Sequence, residues 1–439
     1  MKRSFSFTAS SLLAFALLVV PAARAQAAQK APPAKSSQPQ ADPLAALVQQ
    51  ANDAITKKDY AAAVSALQNY LAKKPDDATA HAQLAYALTE LNRTDEAKAE
   101  YRKAISLDPK LAAAQINLGL LLLESEPAAA VEPFRRAAEL LPGRARPHAL
   151  LAEALERNND ATAALAEYET AARLDPKDVE PRLGMGRLLL RANRAADAEV
   201  QFREALAIQP GAPRAQLGLA ESLMVQKKYD AAAAAFATYL ASAPEDRESR
   251  REEAGVLGEL GKNDQALAEL DRADAGGTPA LASMKLRAEI LMAQKQWPQA
   301  QDALQKALAL APQDADLHAR LGRVFLAKRE YDSAQQELRR ALTLDANHND
   351  ALRDLATTYY LMKDCPSALG ALDLLDRREA PRAGNWFLRA TCYDRLDKKR
   401  DAIAAYQKFL ELDQERDPNQ DWQARQRIHV LNEELQRKK

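Results

Sequence analysis

Excess charge of either sign is absent from this 439-residue chain, where Lys plus Arg and Asp plus Glu each number 61. No net field therefore draws it to nucleic acid or to an anionic membrane, and neither is expected as a partner. Glycine is scarce, at 14 residues, while the hydrophobic content of 47% is led by alanine. That balance favours helix. Catalytic signatures are missing as well: there is no nucleophile elbow, no Gly-rich Lys-Ser/Thr phosphate loop and no His-Glu-x-x-His zinc helix. Gly184-Met185-Gly186 has no strand before it, so it is not a cofactor motif. Acidic pairs such as Glu252-Glu253 occur, but a carboxylate pair specifies catalysis only inside a cleft that shifts its pKa. A non-enzymatic chain without cofactor or metal is the expectation.

What the sequence does contain is a ruler. Ala63, Ala97, Ala130, Ala164, Ala198, Ala232, Ala266, Ala300, Ala334, Ala368 and Ala402 follow one another at nine intervals of 34 residues and one of 33. Such self-similarity marks a repeat array. Four residues after each alanine stands a large side chain, from Leu67, Tyr101 and Phe134 to Leu372 and Tyr406, and three further on another small or apolar one, such as Ala104 or Ala205. Offsets of four and seven share one helical face. A second small residue lies twelve positions upstream of most anchors, as at Ala51, Ala85, Gly186 and Gly322. Each unit is therefore two helices, in which a small residue lets the backbones approach and the bulky one fills the space beside it. Prolines such as Pro109, Pro176 and Pro312 close the units, several of them after aspartate.

With Leu118-Gly119, Leu321-Gly322 and endings such as Lys103-Ala-Ile-Ser-Leu-Asp-Pro109, the chain resembles tetratricopeptide repeat proteins over residues 44–414. The resemblance implies an all-α, right-handed superhelical α-solenoid of about eleven helix-turn-helix repeats. Its concave face, lined by the first helices, would bind protein or peptide segments. Unit three departs by lacking one residue, and the last three units lack the terminal proline at its expected place. A carboxylate clamp of the chaperone-binding subtype is not supported, since Asn52 at position nine is accompanied by Val48 at position five.

Both ends of the chain differ from the repeats. Lys2 and Arg3, the apolar stretch Ser11 to Val20, and Ala23-Arg24-Ala25 are expected to form a secretory signal peptide over residues 1–25, cleaved between Ala25 and Gln26. The apolar stretch falls short of the roughly 20 residues a bilayer span requires, so the mature chain is expected to lack a transmembrane segment and to be exported, most simply to a periplasm. Residues 26–43, rich in Pro, Ala, Gln, Ser and Lys, read as a disordered linker. At the other end, Asp417-Pro418 signals a helix start, and Ala424, Ile428, Leu431 and Leu435 recur at helical spacing. Residues 415–439 are expected to cap the last unit.

Measured against the ruler, three further features stand out. Unit seven, residues 245–279, holds Gly255, Gly258, Gly261, Gly276 and Gly277. It reads either as a hinge or as a degenerate repeat with a local packing reason for glycine. Cys365 and Cys392, the only cysteines, fall on one edge of the stack. They are either a candidate disulfide, contributing roughly 3 to 4 kcal/mol, or two buried thiols at helix crossings. His81, His148 and His318 all occupy the fourth position of their units, so phase accounts for them without metal chemistry.

Positions two, five and nine of the first helices place Arg146, Glu153, Arg187, Arg214, Glu221, Lys285, Glu289, Arg323 and Arg353 on the concave face. The sign alternates at position nine through Glu153, Arg187 and Glu221, and again at Glu289 and Arg323. Two readings follow: a mixed-charge groove for an extended peptide, or a ladder of ion pairs between adjacent repeats, each worth under about 1 kcal/mol. The functional expectation is a scaffold or adaptor of the bacterial cell envelope. Its alternatives are an accessory subunit of an outer-membrane, pilus or polysaccharide export assembly, and a processing enzyme with an unrecognised site.

Overall fold

A computed structural model describes residues 43–414 and 416–437. The signal peptide, its cleavage between Ala25 and Gln26, and nearly all of the linker lie outside them. The described residues hold 23 helices and no strand. They form two compact bodies, one ending at Asp76 and the other beginning at Asp77.

The first body contains one helical pair, α1 (Pro43–Thr56) and α2 (Tyr60–Leu71). Ala51 and Ala54 of α1 and Ala63, Val64 and Leu67 of α2 are buried. The second body contains ten more pairs. They are α3 (Ala78–Glu90) with α4 (Thr94–Leu107), α5 (Ala112–Leu123) with α6 (Pro127–Leu140), α7 (Ala145–Arg157) with α8 (Ala161–Leu174), α9 (Glu180–Arg191) with α10 (Ala195–Ile208), and α11 (Pro213–Val225) with α12 (Tyr229–Ser242). Then follow α13 (Arg247–Glu259) with α14 (Asn263–Asp274), α15 (Leu281–Ala293) with α16 (Trp297–Leu310), α17 (Ala315–Ala327) with α18 (Tyr331–Leu344), α19 (Asn349–Leu361) with α20 (Cys365–Asp376), and α21 (Ala383–Arg395) with α22 (Lys399–Asp413). The last helix, α23 (Pro418–Arg437), packs on α22. The second body is an all-α solenoid in which each helix packs on its neighbours in sequence.

Local chemistry repeats with the same period. The first helix of a pair ends in a residue with positive φ: Lys58, Asn92, Asn159, Asn193, Lys227, Gly261, Lys295, Arg329, Lys363 or Asp397. Around Asn92 the amide of Arg93 donates to the carbonyl of Leu88, and that of Asn92 to Thr89, which satisfies carbonyls the helix end leaves open. Only the third pair lacks such a residue, and there the amide of Glu126 reaches back four residues to the carbonyl of Leu122, where the other turns reach back five, as Arg93 does to Leu88. The one missing residue of the 33-residue interval is thus the left-handed turn residue. At the ends of second helices the aspartates before proline or alanine form side-chain turns: Asp108, Asp175 and Asp345 accept from the amides of Lys110, Lys177 and Asn347.

The knob-and-hole reading acquires distances. A Cβ built on Gly186 would come 2.6 Å from the Phe202 ring, and one on Gly218 of the next pair 2.3 Å from the same ring. Phe202 is therefore wedged between α9 and α11. In the third pair Leu118 stands where the period would put a small residue, and Gly119 takes the role instead, its Cβ position 2.6 Å from Phe134. The turn deletion shifts the register by one and so explains the exchange.

The seventh pair behaves otherwise. Gly255 and Gly258 lie within an unbroken α13, and added methyl groups would meet only Leu286 at 3.9 Å and Ile290 at 3.7 Å. These are ordinary contacts, so close packing does not demand glycine at either place. Gly261 has φ +69° in the turn, and Gly276 has φ +70° just after α14. The thinnest junction between consecutive helices of this body joins α14 to α15, across residues 275–280.

Candidate functional site

At five of the nine junctions of the second body successive first helices pack on one another: α7 on α9, α9 on α11, α13 on α15, α17 on α19 and α19 on α21. Second helices show no packing of that extent among the described residues. The more tightly packed row of a curved stack faces inward, so a concave face of the second body would be lined by its first helices.

On that face the charged side chains mostly hold one another. Arg187 donates through Nε and Nη2 to Glu156 of the preceding pair at 2.8 and 2.6 Å, and Arg191 adds a third bond to the same carboxylate at 2.9 Å. Tyr168 OH donates a fourth at 3.2 Å. Burial opposes the charge on Glu156, but the bonds and charges of Arg187 and Arg191 outweigh it and lower its pKa. Burial likewise opposes the charge on Arg187, and Glu156 more than compensates, raising its pKa. Glu153 pairs with Arg157 of its own helix at 2.8 Å. Sign alternation at position nine is therefore not the pairing scheme. The hub is Glu156, at position twelve, which sequence reasoning passed over; its signal was a carboxylate one turn from position nine with arginines 31 and 35 residues onward.

The remaining candidates divide between held and open. Arg214 reaches Glu180 one pair earlier, Lys285 Nζ reaches Asp314 at 2.5 Å, and Arg323 Nε donates to Asp354 at 2.8 Å. Arg353 spans Asp350 at 2.5 Å and Glu379 at 2.8 Å. It also lines a polar cleft of about 440 Å³ with His348, Asn349 and Arg382, between the turns that precede α19 and α21. Glu221 is half-buried on α11. Glu289 is exposed and stands 3.5 Å from Arg320, while Arg146 is exposed on the first turn of α7. Val225 and Leu361, at the ends of α11 and α19, are also exposed.

A second recurring pair joins the two helices within a unit. His81, His148 and His318 place Nδ1 at 2.5, 2.6 and 2.6 Å from Glu100, Glu167 and Glu337, each 19 residues onward. In the seventh pair Arg250 substitutes for histidine and meets Glu269 at 2.6 Å. Where the later position is alanine, the earlier is apolar in Met284/Ala303, Leu352/Ala371 and Trp386/Ala405, though Gln216/Ala235 breaks the rule. The histidines thus do more than keep phase, since each ties its two helices through a carboxylate. Among the described residues, no group of three or more His, Cys, Asp or Glu side chains is placed to hold a metal ion, and no helix is long and apolar enough to cross a membrane.

Glu253 of α13 is buried beside the Arg250–Glu269 pair. Burial, and then the charge of Glu269, push its pKa up to about 7. Cys365 and Cys392 share one buried cluster with Ala368 and Leu369, as free thiols.

Three sequence models, each described as tetratricopeptide repeat, match the chain: one over residues 183–247 and 320–383, another over 54–118 and 291–342, a third over 145–178 and 383–416. No curated protein sequence matches significantly. Similar solved structures include MamA, from residue 41 to its end, of Desulfovibrio magneticus RS-1, at 18% identity over 39% of this chain and 97% of that one, with a TM-score of 0.37. Another is YrrB, described as a tetratricopeptide repeat protein with an unusual peptide-binding site, at 21% identity over 42% of this chain and 96% of that one, with a TM-score of 0.39. The Cut9–Hcn1 hetero-tetramer of the APC/C matches at 15% identity over 89% of this chain and 96% of that one, with a TM-score of 0.41.

Proposed function

Since the chain belongs to the tetratricopeptide repeat family, we propose that it is a non-catalytic scaffold of the cell envelope that binds protein or peptide segments on its row of first helices. The observation that carries this reading is the division of labour along that row. Arg187, Arg323 and Arg353 are engaged with carboxylates and fix the spacing of the repeats, whereas Arg146, Glu289, Val225 and Leu361 stand open toward solvent. A rigid lattice of ion pairs with interspersed open charges and apolar side chains is a surface on which an extended segment can lie without reorganising the array. Envelope location rests on the charged start, apolar stretch and Ala23-Arg24-Ala25 of the N-terminus.

Two measurements test this. N-terminal sequencing of protein recovered from the exported fraction is expected to begin at Gln26; recovery only from the cytoplasm with Met1 retained overturns the envelope assignment. Affinity purification of the mature chain is expected to yield a stoichiometric protein partner whose binding falls with Arg146→Ala and Glu289→Ala at unchanged stability. Turnover of a defined substrate by the purified chain overturns the non-catalytic reading.

A further inference from the structure

The two cysteines occupy a single inter-repeat contact. Cys365 opens α20, and Cys392 lies 27 residues onward in α21, almost one turn from its end. The equivalent positions at two other junctions are Trp297 with Val324 and Tyr229 with Val256, each pair belonging to one hydrophobic cluster. There one of the two side chains is an aromatic ring; at the α20–α21 junction both are small thiols. They are 2% and 0% exposed and share one buried cluster with Ala368 and Leu369. The α20–α21 junction is also among the more thinly packed of the body, joined by a turn from Arg377 to Arg382. Cysteine, absent elsewhere in 439 residues, thus appears twice at one contact and at a junction short of other adhesion.

We propose that Cys365 and Cys392 form a disulfide that staples the tenth repeat to the eleventh. One thiol loses its proton, and its thiolate attacks a disulfide oxidant, protein or small molecule, giving a mixed disulfide and releasing one oxidant thiol. The second cysteine thiolate then attacks the mixed disulfide at the first cysteine's sulfur, closes the Cys365–Cys392 bond and releases the second thiol. Two electrons and two protons pass to the oxidant. Because both sulfurs are buried in the closed junction, exchange takes place while α20 and α21 are apart, during folding or local opening. Closure then shields the bond from reductants. In the cell the bond requires an oxidising compartment, as the envelope reading supplies, but the chemistry can be tested apart from that reading.

The full mature chain, reduced and unfolded, is refolded with oxidised glutathione, then alkylated in denaturant without reductant and digested. A peptide linking Cys365 to Cys392 within one chain is expected, with no alkylated thiol. Two alkylated thiols, or a bond between chains, overturn the proposal. Hydrogen exchange provides a second readout. Amides of α20 and α21 in the oxidised chain should exchange on the order of 100-fold more slowly than in the Cys365→Ser/Cys392→Ser chain treated alike. Equal rates would overturn the stapling role. Material isolated from its native compartment and trapped with acid and alkylating agent then reports on location alone: free thiols there, with efficient closure in vitro, contradict the envelope assignment and leave the pairing intact.

Discussion

Replacing Gly255 and Gly258 by alanine should stabilise the seventh repeat, whereas the same change at Gly218 should weaken the fifth and sixth. In a helix interior alanine is favoured over glycine by about 1 kcal/mol, because glycine loses more conformational freedom on folding. At Gly255 and Gly258 the new methyl groups meet side chains at 3.9 and 3.7 Å, so nothing offsets that gain. The double variant should gain about 2 kcal/mol. At Gly218 the methyl falls 2.3 Å from the Phe202 ring, and Gly186 closes on the same ring from the other side at 2.6 Å, so the ring has nowhere to retreat. Overpacking of this kind costs about 1 to 3 kcal/mol and should cancel or exceed the helical gain. Long repeat arrays need not unfold in one step, so a single midpoint is a poor readout. Hydrogen exchange resolved along α9 to α15 separates local from global effects. Slower exchange across α13 in the double variant and faster exchange across α9 and α11 in Gly218→Ala are expected. No slowing in α13, or a stabilised Gly218→Ala, would refute the reasoning.

Three other perturbations follow from particular contacts. Glu253, with an ordinary value near 4.5 and a folded value of about 7, keeps its proton longer folded than unfolded, so stability is full below about pH 4.5 and falls as pH rises to 7. The loss is at most about 3 kcal/mol; Glu253→Gln should remove this fall from urea titrations between pH 5 and 8, and parallel profiles would contradict the assignment. Arg187→Ala leaves buried Glu156 with Arg191 and Tyr168 and should cost about 2 kcal/mol in local hydrogen exchange, against less than about 0.5 for exposed Arg146→Ala. Lys227 holds φ +59° at the end of α11, so Lys227→Gly should stabilise by about 0.5 to 1 kcal/mol in hydrogen exchange across α11 and α12, while Gly261→Ala should destabilise α13 and α14 by a similar amount.

The 34-residue ruler made the fold legible because solenoid packing is local: every crossing needs a small residue at the same phase, and Ala63 through Ala402 display it. The charged row was legible only as a face. Position nine places Arg187 on that face, but its partner depends on how far α9 is offset along α7, and that offset selects Glu156 over Glu153. Spacing within one helix carries no information about such an offset. The His–Glu ties have a signal in the sequence, since 19 residues separate His81 from Glu100 and His148 from Glu167, but repeat phase alone accounts for a recurring histidine and does not name the carboxylate it meets on the second helix. Glycine identity misled in the opposite direction: the glycines that pack tightly on core side chains are Gly119, Gly184, Gly186, Gly218 and Gly322, scattered singly or in one pair, whereas in the conspicuous cluster Gly255 and Gly258 pack loosely and Gly277 meets only the end of the Arg247 side chain.

Whether the row of first helices is the binding face can be decided by photo-crosslinking in living cells, with the reactive group placed in turn at Arg146 and Glu289 on first helices and at exposed Val200 and Leu310 on second helices. The account predicts one discrete protein adduct from the first-helix positions and none from the second. Adducts from Val200 and Leu310 alone, or from all four alike, would contradict it.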